Sequence, residues 1–299
     1  MSTVAGTPFE GIDPAEWSPY NYIPSQSAGI AMIAVFGLST LLHFGVALWH
    51  RMWWILPTVV LCGALEVAGW GGRLWSYYQP WNGSPFELQI CTTIIAPTPL
   101  LAAVFVIFGE VIRRLGSGYS RLSAKYYTII FCTCDVIALI VQGVGGGLAA
   151  TAADNGRDPT TGSRIMLGGI AFQLAVITIF AFCAAEYLVR YAWDVPVRSI
   201  KGSGAETERG EFTGKLKTMV SAIGFVTVVL FIRAIYRTIE LTDGWNGVII
   251  STERYFIVLD AVMIVLGMYA LNIIHPWCFL FKDAALQRST STSTSSESD

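Results

Sequence analysis

The chain alternates long apolar runs with short polar segments, and seven of the runs are long enough to cross a membrane. They cover residues 27–49, 53–74, 88–112, 126–150, 165–189, 216–239 and 252–274. An α-helix needs about 20 apolar residues to cross a hydrocarbon core of about 30 Å. A lipid-facing barrel would alternate polar and apolar residues, and backbone in lipid must satisfy its own hydrogen bonds. The sequence therefore predicts an all-α, polytopic membrane protein with seven transmembrane helices.

Little of the chain remains for a soluble domain. We divide it into an extracellular N-terminal tail (1–26), a seven-helix transmembrane domain (27–275) and a cytosolic tail (276–299) that is expected to be disordered from about residue 289. Charged residues make up only 13% of the chain, about half of the roughly 25% usual in soluble domains. The net charge of −2 excludes a nucleic-acid-binding protein that works through a basic surface.

The cations are concentrated in alternate loops, which predicts the orientation. Thirteen of the 19 Lys and Arg lie in the first, third and fifth loops and in the C-terminal tail, whereas the opposite loops hold only Arg157 and Arg164. By the positive-inside rule the N-terminus is outside and the C-terminus is in the cytosol. Asn82 begins an Asn-Gly-Ser pattern in a loop that this orientation places outside, so it is a candidate for glycosylation.

Ionisable and amide side chains recur inside the predicted helices, often seven residues apart. Seven residues are nearly two full turns, so both members of a pair lie on one helix face. Charged groups at membrane depth are costly and are expected to face the bundle interior and pair with one another. We predict a ligand-binding set that converges in the outer half of the bundle: Glu66, Arg73, Asp135, Gln142, Gln173, Arg233, Arg237 and Asp260.

The charged members of this set are predicted to form one connected network rather than separate pairs. Two interpretations remain open, because the network either fixes helix packing or lines a polar pocket for a ligand. Glu240 and Glu253 are assigned a structural or gating role beside it.

Two backbone features point to the same region. Pro97 and Pro99 interrupt the third helix and free carbonyls that a neighbour or a ligand must satisfy. A glycine-rich stretch at 143–147, with Gly145 and Gly146, is predicted to end the fourth helix and to serve either close helix approach or an unwound outer end. It lacks the Lys and Ser/Thr of a phosphate-binding loop, so no ATP-binding motif is present.

Other classes of seven-helix protein find no support in the residues. A retinal protein needs a lysine in its last helix, yet all five lysines lie in predicted cytosolic segments. The three histidines lie near the cytosolic face, which argues against a zinc site, and there is no nucleophile elbow. We therefore predict no enzyme activity, no catalytic residue, no metal and no cofactor.

Several motifs occur together in an order that resembles one family. They are Glu66-x-x-Gly69-Trp70-x-x-Arg73, Gln89 to Ala96-Pro97, Asp135-x6-Gln142-x-x-Gly145-Gly146-Gly147, Gly168 with Gln173, Arg233-x-x-Tyr236-Arg237-x-x-Glu240 with Gly244, Glu253, Asp260 and His275-Pro276. This pattern resembles the fungal RTA-like, or lipid-translocating exporter, family over about residues 17–279. The resemblance implies a multi-pass protein of the plasma membrane that is concerned with aminosterol resistance, sphingoid-base release or porphyrin uptake.

The residues and the resemblance together predict a transporter or exporter of amphiphilic lipids that works without ATP hydrolysis. Its partners would be the bilayer and an amphiphilic or sterol-like ligand, with no nucleic acid and an unassigned oligomeric state. The alternative is a receptor-like lipid sensor, which the seven helices, the basic cytosolic loop and the Ser/Thr-rich tail also permit.

Overall fold

The structure, a computed structural model, describes residues 13, 18–197, 209–244 and 247–281. Within these ranges seven helices are long and apolar enough to span a membrane, which confirms the predicted number. They are α1 (Gln26–Trp49), α2 (Trp53–Tyr78), α3 (Gly83–Leu115), α4 (Ala124–Ala152), α5 (Thr160–Ala192), α6 (Gly214–Asp243) and α7 (Glu253–Phe281). The Ser/Thr-rich tail from 289 lies outside the described residues.

The helices pack as a bundle around α3. In the most apolar window of α3, 67% of residues are buried, against 22% in α1. Its aromatic side chains form edge-to-face pairs with α5, with the ring centroid of Phe180 4.7 Å from that of Phe105 and 5.4 Å from that of Phe108. The outward faces of the other helices carry many exposed apolar side chains, as expected for a surface in contact with lipid.

Exposed tryptophans mark the two ends of the bundle. We call the end where residues 18–25 lie the N-terminal face; Trp75 and Trp81 are exposed there, at the end of α2 and before α3. Trp49, Trp53 and Trp193 are exposed at the opposite end. Indole side chains favour the membrane–water interface, so these two groups of tryptophans indicate where the bundle meets the lipid headgroups.

Two of the helices contain a π-helical turn inside the membrane span, and α7 is broken near its end. The turns cover Leu56–Val60 in α2 and Ile257–Ala261 in α7. The helical conformation of α7 is interrupted at Ile274 and His275, just before Pro276, which has no N–H to continue the hydrogen bonding. The chain then forms a further π turn at Trp277–Phe281.

The predicted interruption of α3 is also present. The helix consists of two segments, Gly83–Ile95 and Pro97–Leu115, separated at Ala96. Pro97 occupies the first turn of the second segment, where its missing N–H costs least. Pro99 is buried two residues further on.

The prediction that the glycine-rich stretch ends the fourth helix is wrong, because α4 continues through residues 143–147 without a break. The alternative use of the glycines, close helix approach, is what the structure shows. A Cβ on Gly145 would lie 2.3 Å from the backbone N of Met166, and one on Gly162 would lie 2.3 Å from the backbone N of Ala149. A Cβ on Gly146 would make only ordinary contact with the Met166 sulfur. A helix can keep these glycines because the tight contact with α5 replaces the packing that side chains would supply.

Gly145→Ala is expected to lower the free energy of unfolding by about 1–3 kcal/mol, the usual cost of overpacking. The added methyl group would meet the backbone of α5 at 2.3 Å, and backbone cannot move aside as a side chain can. Gly143→Ala is the matched control, since a methyl group at that position would have no neighbour within 4 Å. Thermal unfolding in detergent measures both; equal stability of the two variants would contradict the close approach.

Candidate functional site

Four buried charged side chains from α6 and α7 lie together in the interior of the bundle, and we call them the central cluster: Arg233, Arg237, Glu240 and Asp260. Arg237 donates two hydrogen bonds to Asp260, from Nε to Oδ1 at 2.8 Å and from Nη2 to Oδ2 at 2.9 Å. Arg233 Nε lies 2.8 Å from the same Oδ1. Arg237 Nη1 donates to Glu240 Oε2 at 2.8 Å. At most 5% of any of these residues is exposed, so each charge is balanced by a partner rather than by water.

Local sequence explains this convergence. The spacings of four and three between Arg233, Arg237 and Glu240 place all three on one face of α6. Asp260 lies in the π turn Ile257–Ala261 of α7. A π turn holds one extra residue and is frequently found at functional sites.

The proline break in α3 supplies a further acceptor to the cluster. Pro97 has no N–H, so the carbonyl of Thr93, four residues earlier, has no helical partner at that position. Arg233 Nη2 donates to this carbonyl at 2.6 Å. Arg237 Nη2 donates to the Thr93 hydroxyl at 3.1 Å. The prediction that a neighbour satisfies a carbonyl freed by the prolines is confirmed.

Arg73 forms a second cluster at the N-terminal face. Its Nη2 lies 3.1 Å from Glu253 Oε1 and donates to the Tyr22 hydroxyl. The guanidinium carbon lies within about 6 Å of four aromatic rings, a distance at which cation–π attraction is significant. The rings belong to Phe256 at 4.7 Å, Tyr20 at 5.0 Å, and Tyr22 and Trp70 at 5.6 Å each.

Phe256 connects the two clusters, because its ring also lies 5.1 Å from the guanidinium carbon of Arg237. Burial raises the pKa of Tyr20 to about 12, and burial likewise raises the pKa of Tyr22. Both phenols therefore stay protonated throughout the physiological pH range. They remain neutral hydrogen-bonding groups beside Arg73.

The segment 18–25 crosses the N-terminal face and is held there by residues distant in sequence. Ser25 N–H donates to Glu253 Oε1 at 2.8 Å, and the Asn21 side chain donates to Ser251 Oγ at 3.0 Å. Tyr20 stacks edge-on against Phe86, with ring centroids 4.8 Å apart. Residues 18–25, which the sequence analysis treated only as part of an external segment, thus form one wall of the pocket described next.

A pocket lies between this segment and the two clusters. It is partly open to solvent, and the empty space within it, open solvent included, is about 540 Å³. Its polar lining consists of Tyr20, Tyr22, Arg73, Gln89, Arg237 and Glu240. Its apolar lining includes Phe86, Ile90, Ile94, Met166, Leu241, Ile250 and Phe256. The pocket therefore combines charged groups at one wall with a mainly aromatic and aliphatic interior.

A second, smaller pocket of about 280 Å³ lies on the other side of the central cluster. Arg233 and Gln173 line it together with Pro97 and apolar residues of α3, α5 and α6. Gln173 donates to the Thr98 hydroxyl at 3.0 Å and accepts from Gln142 at 3.2 Å. Arg237 faces the first pocket and Arg233 the second, so the cluster separates them.

Two buried carboxylates remain apart from these ion pairs. Neither oxygen of Glu66 and neither oxygen of Asp135 has a hydrogen-bond partner in good geometry among the described residues. Glu66 interacts electrostatically with Asp260, Arg233 and Arg237. Asp135 instead has the Gln173 side-chain amide as its polar neighbour.

The predicted site residues therefore fall into three groups rather than one connected network. The central cluster has Glu66 beside it, Arg73 pairs with Glu253, and Asp135 lies near Gln142 and Gln173. The groups are separate because Arg73 pairs with Glu253 at the N-terminal end of α7, whereas Asp135 lies near Gln173 on α5. Four of the residues predicted to bind a ligand line neither pocket: Glu66, Asp135, Gln142 and Asp260.

Sequence reasoning missed several residues of the larger pocket. Tyr20, Tyr22 and Phe256 are the clearest examples, and Glu240 lines the pocket although it was assigned a structural role. The signal for the two tyrosines was a Tyr-rich stretch directly before the first apolar run. Asn82, the glycosylation candidate, accepts a hydrogen bond from Ser84 N–H as the cap of α3. In the described part of the chain no three His, Cys, Asp or Glu side chains are grouped to hold a metal ion.

Comparison with known proteins gives a consistent assignment. A family model described as RTA1 like protein matches residues 59–284. The sphingoid long-chain base transporter RSB1 of Saccharomyces cerevisiae is 32% identical over 282 residues, covering 87% of this chain and 73% of its own length. Protein RTM1 and protoporphyrin uptake protein 1 of the same species are 25% and 24% identical, each covering 85% of this chain and 90% of their own length. No solved structure matches the chain significantly.

Proposed function

Because this chain belongs to the RTA1-like family, we propose that it transports amphiphilic lipids across the plasma membrane without ATP hydrolysis. The substrate class we favour is a long-chain lipid with a cationic headgroup. The family supports lipid or amphiphile transport broadly; the pocket at the N-terminal face supports this narrower choice.

The observation that carries the proposal is the lining of the larger pocket. Glu240 is the one carboxylate among its lining residues, Arg73 and Arg237 are the cationic ones, and most of the remaining wall is aromatic and aliphatic. An amine headgroup would pair with Glu240, while the lipid chain would lie against the apolar wall. Each buried CH₂ contributes about 0.8 kcal/mol, so the chain would supply most of the affinity and the headgroup most of the selectivity.

Purified protein in vesicles should bind and move a long-chain amine, and Glu240→Gln should weaken amine binding about tenfold or more, equivalent to about 1.4 kcal/mol. The variant keeps the size and hydrogen bonding of the side chain but removes its charge. The N-acetylated form of the same amine should bind wild type and variant alike. Binding and flux are measured for both ligands.

Asp243→Asn is the matched control, because Asp243 is exposed on the same helix and does not line the pocket. If Glu240→Gln weakens both ligands equally, Glu240 serves packing and the headgroup assignment fails. Amine binding without flux would instead favour the receptor-like sensor.

The orientation is part of the proposal, with the N-terminal face outside the cell. A glycan acceptor introduced near Asn155, in the loop between α4 and α5, should be modified when the protein is expressed in cells with a glycosylating secretory pathway. The reason is the distribution of Lys and Arg, which retains the opposite loops in the cytosol. Modification of an acceptor placed near Gly202 in the fifth loop, which lies outside the described residues, would reverse the assignment.

A further inference from the structure

Glu66 is a fully buried carboxylate that forms no ion pair with the residues the structure describes, and the donor close enough to act on it is the Trp70 indole. Its exposed fraction is 0%, and neither of its oxygens meets a donor in good geometry there. Trp70 Nε1, one turn further along α2, also lacks an acceptor in good geometry. An ionised carboxylate in such surroundings is very unfavourable, and a buried acid ordinarily takes up a proton instead.

The charge balance of the central cluster supports the same protonation state. Two arginines face two carboxylates, Asp260 and Glu240, and the four charges cancel. Both arginines direct their nitrogens at those carboxylates and at Thr93. An ionised Glu66 would add an uncompensated negative charge beside Asp260.

Other groups around Glu66 do not change this balance. Cys62 lies on the same helix and interacts electrostatically with Glu66 and Arg233. α1 packs on α2 through Thr40 at Gly63, and α3 packs through Thr92 and Thr93 at Gly69, none of which carries a charge. The groups that act on Glu66 are Cys62 and Trp70 on α2, Arg233 and Arg237 on α6, and Asp260 on α7.

We propose that Glu66 is a proton-binding site that releases its proton when a cationic headgroup enters the larger pocket. The headgroup part of this inference rests on the proposed function; the protonated state of Glu66 does not. A cation beside Glu240 would leave the cluster with one excess positive charge, since Glu240 now serves both the ligand and Arg237. Ionisation of Glu66, which acts electrostatically on Arg237, restores neutrality.

The exchange balances in charge and atoms. The O–H bond of the Glu66 carboxyl group breaks, the proton passes to water, and the carboxylate compensates the incoming ammonium. One proton leaves for each amine that binds, so transport of the amine would be coupled to the proton gradient without ATP. No oxidant, reductant or other co-reactant takes part.

The test uses the full-length protein and two measurements. Infrared spectroscopy of wild type should show the C=O stretch of a protonated carboxyl group that Glu66→Gln removes. In lightly buffered vesicle suspensions, a pH-sensitive dye should report about one proton released per amine bound by wild type and none by Glu66→Gln. Glu66→Gln should also unfold at nearly the wild-type temperature, because glutamine resembles the neutral acid in size and charge.

Asp135→Asn is the control, since it removes another buried carboxylate. The polar neighbour of Asp135 is Gln173 rather than the arginines. It should retain the amine-dependent proton release. A carboxyl band that persists unchanged in Glu66→Gln, or unaltered proton release in that variant, would overturn the proposal.

Failure of the proposed function gives a different result. If wild type binds no amine, the transport assignment and the exchange both fall, while a carboxyl band removed by Glu66→Gln would still establish the proton site. If wild type transports amine but releases no proton, the transport assignment stands and the exchange is wrong.

Discussion

Asp260→Asn is expected to lower the free energy of unfolding by about 3–5 kcal/mol, the usual result of removing one partner from a buried ion pair. Asp260 is fully buried and accepts from Arg237 through both oxygens while Arg233 lies 2.8 Å from one of them. Without its charge, two buried guanidinium groups would share the single carboxylate of Glu240. Thermal unfolding of the purified protein in detergent provides the measurement.

A double variant separates charge imbalance from a loss of packing. Asp260→Asn combined with Arg233→Gln removes one charge of each sign and should be more stable than Asp260→Asn alone. If the double variant is as unstable as the sum of the two single variants, the charges do not interact energetically and the central cluster is not an ion-pair network.

Arg73→Gln is the second change for which we expect a large effect, again about 3–5 kcal/mol. It removes the ion pair with Glu253 and the contacts with four aromatic rings. Because Tyr20 and Tyr22 depend on the guanidinium, the segment 18–25 should detach from the bundle. Limited proteolysis should then cut this segment faster than in wild type.

Arg73→Lys distinguishes charge from geometry. Lysine keeps the positive charge, but its ammonium lacks the planar fork that meets Glu253, Tyr22 and the rings together. We expect a loss smaller than that of Arg73→Gln but still measurable. Equal protection of segment 18–25 in wild type and Arg73→Gln would show that the hydrogen bonds to Ser251 and Glu253 hold it without Arg73.

The helical spans were predictable because lipid imposes a simple constraint. A backbone without water must bond within its own segment, so the apolar runs alone identify seven helices. It was also predictable that Arg233, Arg237 and Asp260 face the bundle interior. Their helical spacing and the free-energy cost of an unpaired charge in the membrane both indicate it. The break at Pro97 followed from the missing N–H.

The remaining features depend on three-dimensional relations that local pattern does not encode. The π turn at Ile257–Ala261 leaves no local signature, although it positions Asp260. The bond from Ser25 to Glu253 joins residues 228 apart, so the placement of the N-terminal segment could not be read from either end alone. The glycines at 143–147 looked like a helix end because glycine weakens an isolated helix, whereas contact with α5 decides their conformation here.

The long sequence separations in the site also bear on how the protein is made. Arg73 and Glu253 are 180 residues apart, and at a synthesis rate of about 5–20 residues per second Arg73 is made roughly 10–40 s before its partner. A similar delay separates the synthesis of Thr93 from that of its partner Arg237, which lies 144 residues later in the chain. During this interval Arg73 has its aromatic neighbours Tyr20, Tyr22 and Trp70 but not its carboxylate partner on α7. Ribosome-bound intermediates truncated before residue 253 would hold Arg73 without its carboxylate partner, so we expect the segment 18–25 to dock fully only after α7 has been made.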